Sequence, residues 1–185
     1  MNTEIGRLGV WASLDGLNGD EAARFSKRIE DWGYSALWTP EAVGRDPFSL
    51  IGYLAARTES LVFATGIANI YARDATAMAA AARSLSLQSG GRFLVGIGVS
   101  HKPFVDDMRG GHYGKPLTTM ARYLDGMESA LWAGPASDPA PVVIGGHRPG
   151  EDAAGANSFN GDIAPVPRPW MEVPCDGHQS RGLGR

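Results

Sequence analysis

Apolar positions along the chain alternate between short continuous runs and stripes at helical spacing. Leu8-Gly9-Val10-Trp11 is a compact run of the kind a buried strand presents. Asp20 offers an N-cap to a helix in which Phe25, Ile29 and Trp32 recur at helical spacing and Gly33 supplies the stop. Ser35-Ala36-Leu37-Trp38-Thr39 reads as a second strand. Asp46-Pro47 is a cap followed by proline at the first helical position, and Leu50, Ile51 and Leu54 form that helix's buried face. Leu61-Val62-Phe63-Ala64-Thr65 is a third strand, built from residues that a parallel core strand prefers. An alanine-rich helix over 75–89 follows, capped by Asp74 and closed by Gly90-Gly91, and Phe93-Leu94-Val95-Gly96 is the fourth strand. After a longer loop, Leu117, Met120, Leu124, Met127 and Leu131 mark another helix, and Val142-Val143-Ile144 begins a fifth strand.

Strand and helix thus alternate without hairpin signals between strands. Parallel neighbours need a crossover, and a helix is the usual one. The pattern predicts either an open doubly wound sheet or part of a (β/α)8 barrel, and periodicity leaves that choice open. Beyond Gly145 the character changes. Gly, Pro, Ala, Arg and Asp dominate residues 146–185, a composition unable to bury enough surface to offset chain entropy. The expectation is an α/β domain over 1–145 and an irregular tail over 146–185. Because the break falls just after a strand has begun, a frameshift or another gene truncation is favoured over a natural flexible tail.

Composition narrows the function classes. The 185 residues carry a net charge of -3, with no run of Lys or Arg, so nothing favours nucleic acid or an anionic membrane as partner. The single cysteine, Cys175, excludes an internal disulfide framework and a cysteine-based zinc site, and fits a reducing cytoplasm. No secretory signal follows Met1, and charges interrupt every stretch that could approach a membrane span. A small molecule is the expected partner, with homo-oligomers left open.

In a parallel α/β fold, ligands sit at the carboxyl ends of the strands. Here those ends read Ala12-Ser13-Leu14-Asp15, Pro40-Glu41, Gly66-Ile67-Ala68-Asn69 and Gly98-Val99-Ser100-His101, which places Glu41, Asn69, Ser100 and His101 where a site would form. Taken singly, each also reads as a helix cap or a loop hydrogen bond. Gly96-Ile97-Gly98 lacks the third glycine of a dinucleotide fingerprint, and His101-Lys102 after Ser100 excludes a nucleophile elbow. His101 and His112 lack metal-ligand spacing, and Asp106-Asp107 reads as a solvated loop.

Taken in order, three blocks carry a resemblance. Gly33-Tyr34-Ser35-Ala36-Leu37-Trp38-Thr39-Pro40-Glu41 resembles the second strand of luciferase-like monooxygenases. Leu61-Val62-Phe63-Ala64-Thr65-Gly66-Ile67 resembles their third strand, and Ser89-Gly90-Gly91-Arg92-Phe93 through Val99-Ser100-His101 their fourth. Glu41-Ala42-Val43-Gly44-Arg45-Asp46-Pro47-Phe48 and Ala68-Asn69-Ile70-Tyr71-Ala72-Arg73-Asp74 are similar to the deazaflavin (coenzyme F420)-dependent oxidoreductases of that superfamily.

The resemblance runs from about Leu8 to Gly145 and implies a TIM-barrel-type (β/α)8 fold, of which about the first five strands are visible. It implies a bulged third strand with a non-prolyl cis peptide at Gly66-Ile67 that supports the cofactor ring. The cofactor-binding residues it implies are Gly66, Ile67, Ala68, Asn69, Val99 and Ser100, with His101 and Glu41 as proton-handling groups and no metal. The implied chemistry is hydride transfer between F420 and a small organic substrate. The alternatives are an FMN-dependent monooxygenase, told apart by its reactivity with oxygen, and a non-catalytic fragment or half-barrel subunit. In the family the cofactor phosphate is held by loops after strands seven and eight, so weak cofactor binding or none is expected of these 185 residues.

Overall fold

The computed structural model describes residues 5–145. The expectations for the tail over 146–185 lie outside the described residues. Six strands, β1 (Gly9–Trp11), β2 (Ala36–Thr39), β3 (Val62–Thr65), β4 (Ala68–Asn69), β5 (Phe93–Gly98) and β6 (Val142–Ile144), alternate with four helices, α1 (Gly19–Asp31), α2 (Pro47–Ala55), α3 (Ala75–Gln88) and α4 (Pro116–Glu128). Every strand pairing is parallel.

The order of the strands decides between the two architectures. β3 and β4 pair with successive halves of β5, Ala64 opposite Leu94 and Ala68 opposite Ile97, so they are one strand with an interruption. The chain takes four steps where its partner takes three, which is a bulge of one extra residue. With that pair counted as one strand, the sheet runs in chain order, β1, β2, β3/β4, β5, β6, each crossover adding a strand on the same side. A doubly wound sheet would reverse direction; a (β/α)8 barrel does not. The chain therefore forms part of a TIM-barrel-type α/β fold.

Strand alternation sorts the core into two. Leu37, Phe63, Phe93, Val95 and Ile97 pack with the buried faces of all four helices. Their neighbours Ala36, Trp38, Val62, Ala64, Leu94 and Val143 form a second cluster on the opposite, barrel-inner face. A partial barrel suggests a wet apolar inner face, yet these six residues are buried.

Local chemistry corrects several boundaries. The first helix is capped by Asn18, not Asp20: Asn18 Oδ1 accepts from the Glu21 amide at 3.0 Å while Glu21 Oε2 accepts from the Asn18 amide at 2.8 Å. This reciprocal capping box satisfies two amides at once, and Asp20 is left to accept from the Tyr53 hydroxyl at 2.8 Å. Asp46 and Asp74 cap α2 and α3 as the sequence indicates. Trp32 follows α1 and stays exposed, whereas Ile29 is buried. In α4 only Met120, Leu124 and Met127 are buried. Leu117 lies in the first turn and Leu131 beyond the last, and both are exposed. A π-helical turn, Phe104–Met108, occupies the loop after β5. Asp106 there is not merely solvated, because it pairs with Lys102 and accepts from the Tyr113 amide at 2.6 Å.

At the amino ends of the strands, two charges of opposite sign hold the loop between α2 and β3. Glu30 Oε1 accepts from the amides of Glu59, Ser60 and Leu61 at 2.9, 2.6 and 2.9 Å. Arg92 donates to the carbonyls of Ala55, Thr58 and Leu61 at 2.9, 3.2 and 2.9 Å. Conserving this face serves stability in such a fold, while the opposite face carries function.

Candidate functional site

At the carboxyl ends of the strands the bulge is the organising feature. The Gly66-Ile67 peptide is cis, at the position the resemblance implies. Gly66 is enclosed: a Cβ on it would lie 3.1 Å from the Trp11 indole and 3.3 Å from Trp38 Cβ, and Trp11 Nε1 donates to its carbonyl at 2.8 Å. Ile67 is half-buried, and its side chain lies across two further glycines. A Cβ on Gly98 would come within 2.9 Å of Ile67 Cγ1, and one on Gly145 within 2.5 Å of Ile67 Cγ2. Gly98 at the end of β5 and Gly145 just after β6 thus form a low shelf with Ile67 laid over it.

Next to that shelf, Asn69 pairs with Gly98 and the Ile70 amide donates to the Gly98 carbonyl at 3.1 Å. The segments 66–69 and 99–101 therefore lie side by side at adjacent strand exits. Their side chains are not equally available. Ala68 is fully buried in the helix-packed core, and Asn69 is buried with its Oδ1 accepting from the Tyr71 amide at 2.9 Å. Val99 packs half-buried against the same core. Ser100 is half-buried with φ of 58°, the left-handed region that a non-glycine residue seldom enters. Such a conformation costs on the order of 1–3 kcal/mol and tends to mark functional turns. His101 follows it, exposed, at the start of the loop that carries the π-helical turn.

Glu41 differs from what its position at a strand exit suggests. Its side chain is only 6% exposed, and both oxygens are engaged: Arg73 Nη2 to Oε1 at 2.5 Å, Arg73 Nη1 to Oε2 at 2.9 Å, and the Asn69 amide to Oε2 at 2.8 Å. The Arg73 guanidinium also donates to Asp46 Oδ1 at 3.2 Å and lies 4.5 Å above the Phe48 ring. Tyr123 of α4 donates to the Arg73 carbonyl at 2.9 Å. Burial, with smaller influences of Arg73, Asp74 and Glu41, lifts the Tyr123 phenol above the ordinary tyrosine range. Arg73 stands in the 68–74 block that carries the resemblance, but its pairing with Glu41 and the Tyr123 contact are not legible in the sequence, since partners 32 and 50 positions away leave no local pattern.

A second tie crosses the site. Tyr71 and Tyr113 stack with ring centroids 5.7 Å apart, and the Gly114 amide donates to the Tyr71 hydroxyl at 2.9 Å. The loop after β5 is thereby held against the loop after β4. Two shallow concavities, of about 340 and 390 Å³, lie instead along β1, near Trp32 and Trp11 respectively. Neither is lined by His101 or Glu41, and the second reaches the bulge only through Trp11 and Trp38, which enclose Gly66. Among the described residues no helix is long and apolar enough to cross a membrane.

Comparison with known proteins agrees with this geometry. The luciferase-like monooxygenase family profile matches residues 6–168, continuing past Gly145. A Mycobacterium tuberculosis protein named a putative coenzyme F420-dependent oxidoreductase is 32% identical over 127 residues, covering 69% of this chain and 35% of that protein. An F420-dependent secondary alcohol dehydrogenase, solved with an F420-acetone adduct, superposes with a TM-score of 0.67 at 15% identity over 77% of this chain and 53% of its own. The oxygenating constituent of the 3,6-diketocamphane monooxygenase of Pseudomonas putida, a type II Baeyer-Villiger monooxygenase solved with FMN, superposes with a TM-score of 0.57 at 21% identity, over 68% of this chain and 39% of its own. The chain spans about a third of the length of that curated relative.

Proposed function

Since the chain belongs to the luciferase-like monooxygenase family, we propose that it serves hydride exchange between a deazaflavin of the F420 type and a small organic substrate. The observation that carries this reading is the glycine-bedded Ile67 on the bulge, beside the strained Ser100 turn and the exposed His101. A flat tricyclic ring needs a low, apolar support close to backbone, and Ile67 over Gly98 and Gly145 is a support of that shape. The residues present therefore fit the ring.

When bound, such a ring supplies the two-electron chemistry, and the protein supplies orientation and electrostatics. Ile67 would support the ring face, with the bulge holding its backbone beside the exits of β5 and β6. His101 is the group that would take up or return a proton at the substrate. Glu41 enters as a positioning residue, because both its oxygens are occupied by Arg73 and the Asn69 amide. The kinship with the F420-dependent relative supports the deazaflavin; the shared fold of the FMN-bound monooxygenase supports FMN as the second reading.

The test is an absorbance titration of the purified protein with F420 and with FMN, followed by assays of alcohol oxidation and of oxygen uptake. Weak but saturable F420 binding, and F420 reduction without oxygen uptake, are expected, with His101→Ala slowing reduction by about 10²–10⁴-fold while that binding persists. FMN binding with substrate-dependent oxygen uptake would shift the assignment to the second reading. Binding of neither cofactor would overturn both.

A further inference from the structure

Among side chains outside the ring-facing set, one arrangement reaches the bulge from two directions. The Glu41 amide donates to the Ile67 carbonyl at 3.0 Å, and the Glu41 carboxylate accepts from the Asn69 amide at 2.8 Å. One residue on the exit of β2 thus grips the carbonyl that follows the Gly66-Ile67 peptide and the amide two residues further on. The carboxylate cannot choose its own direction, since a glutamate side chain has several rotamers. Its orientation is set by Arg73, whose planar guanidinium meets both oxygens in a bidentate pair. Arg73 is in turn fixed on three other sides: by Asp46 at the start of α2, by the Phe48 ring beneath it, and by Tyr123 on its carbonyl. The pair is nearly dry, with side chains 16% and 6% exposed.

We infer that Arg73 is a positioning residue that acts through Glu41 to hold the Ile67–Asn69 segment, and with it the ring-supporting shelf, in place. A merely stabilising ion pair would need no partner on the bulge. Here the same carboxylate oxygen that takes Arg73 Nη1 also takes the Asn69 amide, so moving the guanidinium moves the acceptor on which the bulge hangs. The inference rests on the proposed ring-binding role of the bulge, and its first readout is independent of any cofactor.

The experiment compares wild type, Arg73→Ala, Arg73→Lys and Glu41→Gln, each as the full 185-residue chain. Amide hydrogen exchange is measured well below each variant's thermal midpoint, followed by titration with F420 and FMN. Arg73→Ala is expected to speed exchange at Asn69 and Glu41 at least tenfold, while Phe63 and Val95 in the core strands keep their wild-type protection. Arg73→Lys, which keeps charge but not the planar fork, should recover only part of the effect. Glu41→Gln, which removes the charge while keeping the side chain's size, should reproduce the Asn69 effect if Arg73→Ala proves too unstable to study. In the cofactor arm, Arg73→Ala is expected to raise the dissociation constant about tenfold or more. Unchanged exchange at Asn69, or acceleration spread equally over the core, would overturn the clamp. Local acceleration with unaltered cofactor affinity would overturn its positioning role. A wild-type protein that binds neither cofactor, yet shows the local exchange effect, would sink the functional reading and leave the clamp standing.

Discussion

The carbonyl of Thr65 occupies the space that a side chain on Gly96 would need. A Cβ at position 96 would fall well inside contact distance of the Thr65 oxygen, and the Thr65 hydroxyl donates to the Gly96 carbonyl at 2.7 Å. The relationship follows from the bulge: the extra residue between Ala64 and Ala68 pushes the backbone of β3 toward β5, and only glycine gives way.

Gly96→Ala should therefore destabilise the fold, because the atom in the way is backbone and cannot rotate aside. The expected cost is about 1–3 kcal/mol, the range for overpacking a closed interior. Gly16→Ala is the control, since nothing lies within 4 Å of the added carbon and its backbone is not left-handed. It should stay within about 0.5 kcal/mol of wild type. Urea unfolding midpoints measure both, and equal midpoints for the two variants would refute the packing argument.

Glu30 makes stability sensitive to acid. Burial pushes its carboxyl upward, but the amides of Ser60, Leu61 and Glu59 and the Lys27 ammonium outweigh that and bring it down to about 2. Its folded value lies below the unfolded one, so its contribution is present above the unfolded value and fades as pH falls toward 2. After allowance for solvent screening the contribution is about 1–3 kcal/mol. Glu30→Gln should be less stable than wild type at pH 7, with the gap closing between about pH 5 and pH 2. Unfolding free energies at four or five pH values give the comparison, and a gap independent of pH would contradict it.

The fold was more legible than the site, and particular residues show why. Strands β2, β3 and β6 and the caps at Asp46 and Asp74 are local signals, carried by continuous apolar runs or by one side chain and the amide three residues on. The Asn18 box was missed although its Glu21 partner stood at the right spacing, because Asp20 is an equally good cap by type. At the site, the cis peptide came from family likeness rather than from any property of the two residues. The engagement of Glu41 by Arg73 was not legible, since residue type and strand position describe a reactive carboxylate and a locked one alike. Only the folded contacts separate the two: Asp46 of the α2 cap on the guanidinium, the Asn69 amide of β4 on the carboxylate and Tyr123 of α4 on the Arg73 carbonyl.

Tyr123 provides an alkaline counterpart to Glu30. Its hydroxyl donates to the carbonyls of Arg73 and Asp74 at 2.9 and 3.3 Å, and burial raises its ionisation above the ordinary range. A raised folded value means the contribution is intact below the unfolded value, near 10, and is lost as pH climbs through the folded one. Tyr123→Phe should lose about 1 kcal/mol at pH 7, typical of one hydrogen bond, and the deficit should shrink above about pH 10. In an ultraviolet titration of the folded protein, the last tyrosine to ionise should vanish in the variant. Its persistence would assign the late ionisation to another residue.

Gly98→Ala separates folding from the proposed site. Here the added carbon would meet Ile67 Cγ1 at 2.9 Å and Cδ1 at 3.0 Å, which are the ends of a half-exposed side chain rather than backbone. Ile67 can rotate away toward the open face at a cost of about 0.5–1.5 kcal/mol for an off-rotamer arrangement, so the protein should remain folded. The rotated side chain would stand up from the shelf, at the level where a planar ring would rest. Under the proposed function the variant keeps most of its stability and binds F420 or FMN at least tenfold more weakly, a loss of about 1.4 kcal/mol. Gly96→Ala at the neighbouring inner position should show the reverse order, losing stability first, since its obstacle is the Thr65 carbonyl and not Ile67. Thermal midpoints paired with absorbance titrations of the two variants make the comparison. Unaltered cofactor affinity in Gly98→Ala, with Ile67 displaced in its structure, would remove Ile67 from the ring-supporting role.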